Sequence, residues 1–450
     1  VILGTALPGL VAAVRLGMHG ARILVLEEAE GRRAFPGLRE PFLLTGTGGG
    51  TPLGTCLQAL GLALIDRRRI EAGPLAYQVA LPEARVDVGE PRRLASELVA
   101  WGLAKPDATR DLLRALADSS AAERAALLSA PLVPAGRRLP KTAVRPATPP
   151  VLSPSGTPRH ARGLPAEVRS ASGLLAPLFA AQIRALSNLG AATPSPEACA
   201  RLLGAALEGG AEPGEVGLRE LLRRRITSLY GEFRALSGRF RLVSAAKQPG
   251  VQPEGGSELL LGRALVLNAP HHALARWVDQ DPVPPALRRP AATHRRVSLH
   301  LRAWPEVVPE GMAPRVICVR SVEDPQGTDV VRIQRWPGKR ERDPVDLVAS
   351  AVVPADTPDP ADEIEAAVLG LMPFAEGRLS RQPGVSLHWD TDEWLADPPP
   401  GAGWPAEVEI RLSSRPPVYT LERSGVAGLA AEGDFMLGWR AGDAIAAELA

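Results

Sequence analysis

The first 28 residues, VILGTALPGLVAAVRLGMHGARILVLEE, constrain the fold more than any other stretch of the chain. Val1–Leu3 is a short apolar run of strand type, and the turn Gly4–Gly9 follows it. Leu10–Met18 then places apolar residues at helical spacing. Pro8 falls in the first helical turn, where a missing N–H costs nothing, and Gly20 closes the helix. Ile23–Leu26 is a second apolar run, continuous as in a strand buried on both faces of a parallel sheet. A strand, tight turn, helix and strand of this length predict a β-α-β unit, and with it an α/β chain built on a parallel, three-layer Rossmann-like sheet.

The turn Gly4-Thr5-Ala6-Leu7-Pro8-Gly9 meets the context required of a dinucleotide-binding turn: it follows a strand, opens a helix, and the next strand ends in acid at Glu27 and Glu28. Backbone N–H groups at such a helix start face a pyrophosphate, and the carboxylate accepts from ribose hydroxyls. The first glycine permits the tight turn, the second lets the phosphate approach, and the third lets helix and strand pack closely. Ala6 stands at the middle glycine position. Its methyl is a steric nudge if φ is negative and costs roughly 1 kcal/mol of strain if φ is positive. An acid here favours an unphosphorylated ribose, as in FAD or NAD, over NADP.

Beyond this unit the chain alternates in character. Residues 31–75 are rich in Gly, Pro and Arg, with TGTGGGTPLG (Thr45 to Gly54) at the centre and a helix predicted from near Pro52. Residues 76–90 read as two strands joined at Pro82-Glu83, and 91–129 and 166–208 read as helical. The Pro-rich basic stretch 131–165 is read as a solvated loop or as a basic lip touching a membrane surface or an acidic partner. An amphipathic helix is predicted over Gly217–Leu236, then strands at Arg239–Ala246 and in ELLLGRALVLNAP. Residues 291–354 alternate with the period of an antiparallel sheet. Helix is predicted over 359–373, short strands at 383–389 and 406–413, and a helix at the C-terminal end.

Composition narrows the classes. With 450 residues, 45% of them hydrophobic, the chain can bury a core spread over several domains. A formal net charge of +2 gives no polyelectrolyte character, so no nucleic-acid partner is expected. Cys56, Cys199 and Cys318 are far apart and outside any Cys/His cluster, which argues against a zinc site and fits a reducing cytoplasm. No apolar run reaches the length of a membrane span. The chain begins inside an apparent strand without Met, and a few preceding residues are expected.

Three separated segments then share a pattern. GLRELLRRRITSLY, RFRLVSAA, PEGG and ALVLNAPHHAL run in order as helix, strand, loop and a strand ending in an apolar-N-x-P signature, and the tail reads GLAAEGDFMLGWRAGDAIAAEL. Together with the N-terminal unit they resemble the FAD-dependent amine oxidase / phytoene desaturase / protoporphyrinogen oxidase superfamily. The resemblance implies an FAD-binding domain in three parts, 1–75, 209–285 and 416–450. Between them it implies a helical substrate insertion at 76–208 and a β-rich substrate domain at 286–415, containing the antiparallel sheet. It implies adenine contacts at Ala245 and Ala246, and places Gly428, Glu432, Gly433 and Gly438 near the ribityl chain, pyrophosphate and isoalloxazine. Soon after the ribose acid the family has paired glycines and an arginine; EGRRAFPGLREPF supplies Gly31, Arg32 and Arg33 instead, and Arg32 and Arg33 are the cofactor contacts implied there.

The resemblance implies an FAD-dependent oxidoreductase passing hydride from an apolar organic substrate to the flavin. Amine, polyene and porphyrinogen substrates all agree with it, as do dioxygen or a quinone as acceptor. No Ser/His/Asp array is evident, and no metal ligands are assigned. His271-His272 reads as a polar pair at a helix start or as a substrate contact, and His294 and His300 as ordinary sheet residues. Trp277, Trp304, Trp336 and Trp394 read as packing, whereas Trp439, beside Gly438, is placed near the flavin. Arg39 serves either the phosphates or a salt bridge. Two other readings agree with the same residues: a non-catalytic protein of this fold that binds lipid-like cargo or a protein partner, and an NAD-dependent dehydrogenase.

Overall fold

The computed structural model describes residues 1–29, 34–68, 70, 72–129, 132–133, 163–211, 217–287, 292–323, 325, 327–336, 340, 342–383, 389–390, 393–395, 397 and 408–450. Strand β1 (Ile2–Leu3) lies at the centre of a six-stranded sheet, flanked by β2 (Leu24–Glu28) and by the strand Leu265–Leu267. Ile2 sits opposite Val25 on one side and Val266 on the other, both in parallel pairing. The strands Glu232–Leu236 and Pro417–Thr420 extend the parallel sheet outward, and Arg411–Ser414 adds an antiparallel edge.

Alternation within these strands explains the layers. Ile2, Val25, Val266 and Tyr419 face the helices α1 (Leu7–Met18), Leu218–Ser228 and Ala430–Leu449. Leu3, Leu26, Leu265 and Leu267 face a smaller three-stranded sheet made of Phe240–Ala245, Gln248–Pro253 and Leu260–Leu261. Strands buried on both faces need continuous apolar runs, and that is what the sequence supplies. This is the expected three-layer α/β domain on a parallel sheet, with a small antiparallel sheet as its third layer.

The antiparallel sheet is also present. His294–Ala303, Val345–Pro354, Val330–Trp336 and Arg315–Val319 follow one another in antiparallel pairing. The hairpin Leu75–Ala80/Arg85–Gly89 joins the same sheet, its first strand parallel to Arg315–Val319. Residues 76–90 therefore belong with the β-rich segment in space. Helix Leu175–Leu186 covers one face and helix Ala361–Leu371 the other. Short strand Glu393–Leu395 pairs with His294–Arg296 and carries the chain back toward β1.

One boundary differs from expectation. The helix predicted over Gly217–Leu236 ends at Ser228, and Glu232–Leu236 is the strand beside β2. Tyr230 adopts a positive φ of 60° and Gly231 follows it, so the chain reverses there despite continuing helical periodicity. The tail helix begins at Ala430, close to expectation. The strand expected at 383–389 and most of the basic stretch 131–165 lie outside the described residues. Among the described residues no helix is long and apolar enough to cross a membrane.

Candidate functional site

The N-terminal turn is built as its sequence suggests. Gly4 takes φ +108°, and a Cβ there would lie 2.8 Å from the Asn268 carbonyl oxygen, so glycine is required twice over. Ala6 has φ −58° and ψ 152°; its methyl is accommodated with no left-handed strain. Of the two outcomes open for Ala6, the inexpensive one holds. Gly9 leaves room for the Asn268 side chain, whose Nδ2 donates to the carbonyls of Gly4 (2.9 Å) and Ala6 (3.0 Å). Thus the asparagine of the ALVLNAP signature fastens the turn to the central sheet. Its Oδ1 is buried and has no hydrogen-bond partner among the described residues.

The turn holds an anion, and that anion belongs to the chain. The Thr5 backbone N–H donates to Asp390 Oδ1 at 2.6 Å, and Thr5 Oγ1 donates to Asp390 Oδ2 at 2.7 Å. Short contacts of this kind are charge-assisted. Arg39 completes the group, with one terminal nitrogen 3.1 Å from Asp390 Oδ2 and donating also to Thr5 Oγ1. The Asp390 side chain is wholly buried. Arg39 therefore forms a salt bridge at the phosphate position, so the two roles considered for it meet in one place.

The ribose acid is engaged too. Glu27 is buried, and the Arg223 guanidinium pairs with it. Arg219, four residues earlier on the same helix face, donates to the Thr5 carbonyl. Burial, reinforced by neighbouring Arg39, lowers the Arg219 pKa to about 10. Glu28 is buried, and Asp390 donates its backbone N–H to Glu28 Oε2 at 3.4 Å.

Two adjoining cavities continue from the turn, with empty volumes of about 790 and 820 Å³. Both are lined by Arg39, Arg219, Glu393 and Arg423. The nearer cavity includes Asn268, Asp390 and Trp394; the farther includes Phe42, Leu202, Leu429, Glu432 and Asp434. Arg296 pairs with Glu393 at 2.9 Å and Arg423 with Asp434 at 2.9 Å. Arg201, almost fully buried, reaches Glu432 at 2.7 Å and Glu208 at 2.9 Å. Burial raises the Asp434 carboxyl to about 6, although Arg423 opposes it. Burial, added to by Arg296, pushes Arg332 well below its ordinary range.

The remaining candidates scatter. Ala245 and Ala246 lie at the turn of the Phe240–Ala245/Gln248–Pro253 hairpin, outside the parallel sheet, and Ala246 has φ +50°. The strand adjoining β2 is Glu232–Leu236. Arg32 and Arg33 lie outside the described residues. Of the tail residues, Glu432 lines the farther cavity. Gly438 instead serves helix packing, since a Cβ there would lie 2.3 Å from the Pro8 carbonyl oxygen. Gly433 likewise faces the Val426 carbonyl and Gly428 faces Ala198. Trp439 is buried in the helix-side core. His271 is buried with Nε2 2.7 Å from Thr420 Oγ1, while His272 stacks obliquely on Trp394 with ring centres 4.3 Å apart. Among the described residues no group of three or more His, Cys, Asp or Glu side chains is placed to hold a metal ion.

The donor set fits the adenosine-diphosphate half of a dinucleotide: an anion site at the start of a 12-residue helix, a buried acid at the next strand end, and an orphaned acceptor on Asn268. The space beyond is bordered by the ion pair Arg423–Asp434 and by Glu393, which pairs with Arg296. Sequence reasoning missed Asp390, Asn268, Arg219 and Arg223. The i,i+4 spacing of Arg219 and Arg223 and the N-x-P signature were available signals; Asp390 had none.

This arrangement defines a dinucleotide-binding α/β fold with a substrate insertion. No protein-family model matches the chain, and no curated protein matches it. Among solved structures it is similar to an oxidoreductase from Methanosarcina mazei, at 14% identity over 97% of this chain and 98% of that one, with TM-score 0.53. It is also similar to cyclohexylamine oxidase from Brevibacterium oxydans, at 17% identity over 100% and 98% of the two chains, with TM-score 0.50. At these identities the shared property is the fold, and it extends over nearly the whole length.

Proposed function

We propose that the chain is an FAD-dependent oxidoreductase of the amine oxidase/phytoene desaturase type. The observation that carries this reading is the formed anion site at the start of α1, where Thr5 gives two short hydrogen bonds to a carboxylate and Arg39 supplies the counter-charge. The same donors suit a diphosphate, and Glu27 suits the ribose diol. A bound flavin would supply hydride acceptance. The chain's own part is to position and to exclude water. Gly4 and Asn268 hold the turn rigid, Glu432 and Asp434 border the far cavity, and Phe42, Leu202 and Leu429 give it an apolar wall. Such a wall suits an organic substrate with an apolar body, and the charged side suits a polar end on it. The test is an absorbance spectrum of the purified protein, taken before and after incubation with FAD and desalting. Flavin bands that survive desalting are expected; their absence from folded protein would sink the reading.

A second reading, a non-catalytic binding protein of this fold, is favoured by the lining charges Glu393, Arg423 and Asp434 being engaged in ion pairs within the chain, Glu393 with Arg296 and Arg423 with Asp434. It predicts no retained flavin and co-purifying lipid or protein. Removal of residues 425–450 does not separate these from an NAD-dependent dehydrogenase. Phe435, Met436 and Leu437 are fully buried in the helix-side core, so that truncation removes part of the fold itself.

A further inference from the structure

Asp390 lies 385 positions from Thr5 in sequence, yet its carboxylate takes both Thr5 donors at the helix start. It also takes one nitrogen of Arg39, and the same nitrogen donates to the Asp390 carbonyl at 3.1 Å. The neighbouring Trp389 is buried edge-on against Phe240, with ring centres 5.6 Å apart. Asp390 is thus held by its own contacts and by an anchored neighbour. An exposed acid beside a helix terminus would be weakly held and salt-screened; a fully buried one with three donors is neither. A nucleotide diphosphate needs the same Thr5 N–H, the same hydroxyl and the same arginine, and two anions cannot share them. Beside this group Asn268 Oδ1 stays buried without a donor, although a nucleotide's hydroxyls could satisfy it.

We propose that Asp390 is a built-in competitor for the diphosphate site, so that a dinucleotide binds only by displacing the Asp390 carboxylate from the turn. The inference rests on the proposed function for the identity of the nucleotide, though it concerns the diphosphate alone. Displacement lowers apparent affinity by the fraction of molecules in which the turn is open. Close to Asp390 in sequence, Glu393–Leu395 is a strand of three residues that, among the described residues, pairs with His294–Arg296.

The experiment is a calorimetric titration of the full chain with ADP and separately with FAD, using wild type, Asp390→Asn and Asp390→Ala. Circular dichroism checks the fold of each. Asparagine keeps an acceptor for Thr5 and loses the charge; alanine removes the side chain. Both variants are expected to bind ADP at least about tenfold more tightly than wild type while melting at lower temperature. A merely structural aspartate would lower the melting temperature without raising affinity, so unchanged or weaker ADP binding by a folded variant overturns the proposal. ADP binding to none of the three also overturns it. Tighter ADP binding without FAD binding leaves the competitor standing and removes the oxidoreductase reading. Equal FAD binding by all three does the reverse.

Discussion

Replacing Gly9 by alanine tests how the turn is fastened. A Cβ at Gly9 would stand 1.9 Å from Asn268 Nδ2 and 2.0 Å from its Cγ, so the amide must swing away. The Gly4 carbonyl then loses its side-chain donor; the Ala6 carbonyl still accepts from the Gly9 and Leu10 backbone N–H groups. One buried acceptor left unpaired costs about 1–3 kcal/mol. Crowding a packed site costs a further ~1–3 kcal/mol. The better helix propensity of alanine returns up to ~1 kcal/mol. The expected net loss therefore lies between about 1 and 6 kcal/mol, centred near ~3 kcal/mol. Asn268→Ala alone should cost about 1–3 kcal/mol for the unpaired carbonyl. In the double variant the alanine methyl of residue 9 enters the space vacated by the amide, and the crowding disappears. Urea unfolding followed by far-ultraviolet circular dichroism measures all four proteins, with midpoints compared at constant slope. The double variant should be no less stable than Asn268→Ala by more than ~0.5 kcal/mol, giving a coupling of about 2–3 kcal/mol. Additive losses within ~0.5 kcal/mol would refute the claim that one side chain fills the space of the third glycine.

Two further perturbations address the buried charges. Asp434 is raised by burial from the ordinary 3.8 to about 6, so the folded protein holds a proton there that the unfolded chain has released. That contribution is complete below pH 4 and declines as pH rises toward 6; Asp434→Asn should gain relative to wild type by up to ~3 kcal/mol across that window, read from thermal melts at stepped pH. A flat difference would contradict it. Arg201→Met strands the buried Glu432, while Glu208 keeps Arg124, and should cost about 3–5 kcal/mol in urea unfolding. Adding Glu432→Leu should recover part of the loss, since an apolar pair replaces a broken ion pair.

Much of the fold was legible because its signals are local. The unit Val1–Glu28 carries strand, turn, helix and acid within a stretch short enough for periodicity to read. The period-2 runs of residues 291–354 likewise declare an antiparallel sheet before any partner is known. Legibility failed where a local signal was ambiguous. Glu232–Leu236 continues an amphipathic helical pattern, and only the reversal at Tyr230 and Gly231 converts it to a strand. Once that strand is assigned to Phe240–Ala245 instead, the adenine contacts move to Ala245 and Ala246, at a hairpin turn outside the parallel sheet. The tail glycines are tightly packed against neighbouring atoms. A glycine kept for close helix packing, as at Gly438, is indistinguishable in sequence from one kept for close cofactor approach.

The candidate site divides along the same line. Gly4, Ala6, Gly9 and Glu27 lie within one β-α-β unit, so their spacing fixes their geometry. The groups that engage them come from elsewhere: Asn268 from a strand in the second part of the domain, Arg219 and Arg223 from its helix, and Asp390 from the far edge of the β-rich sheet. Hydrophobic periodicity says where a segment is buried, and says nothing about which carboxylate meets which arginine across hundreds of residues. Charge pairing in this channel is set by topology. The strand Glu393–Leu395 pairs with His294–Arg296, and this brings Asp390 over the turn and Glu393 onto Arg296. This pairing therefore sets Glu393 against Arg296, close in sequence to the anion at the turn. Weakening that pairing should loosen the two together, whereas neutralising Asp390 should free the turn and leave Arg296–Glu393 in place.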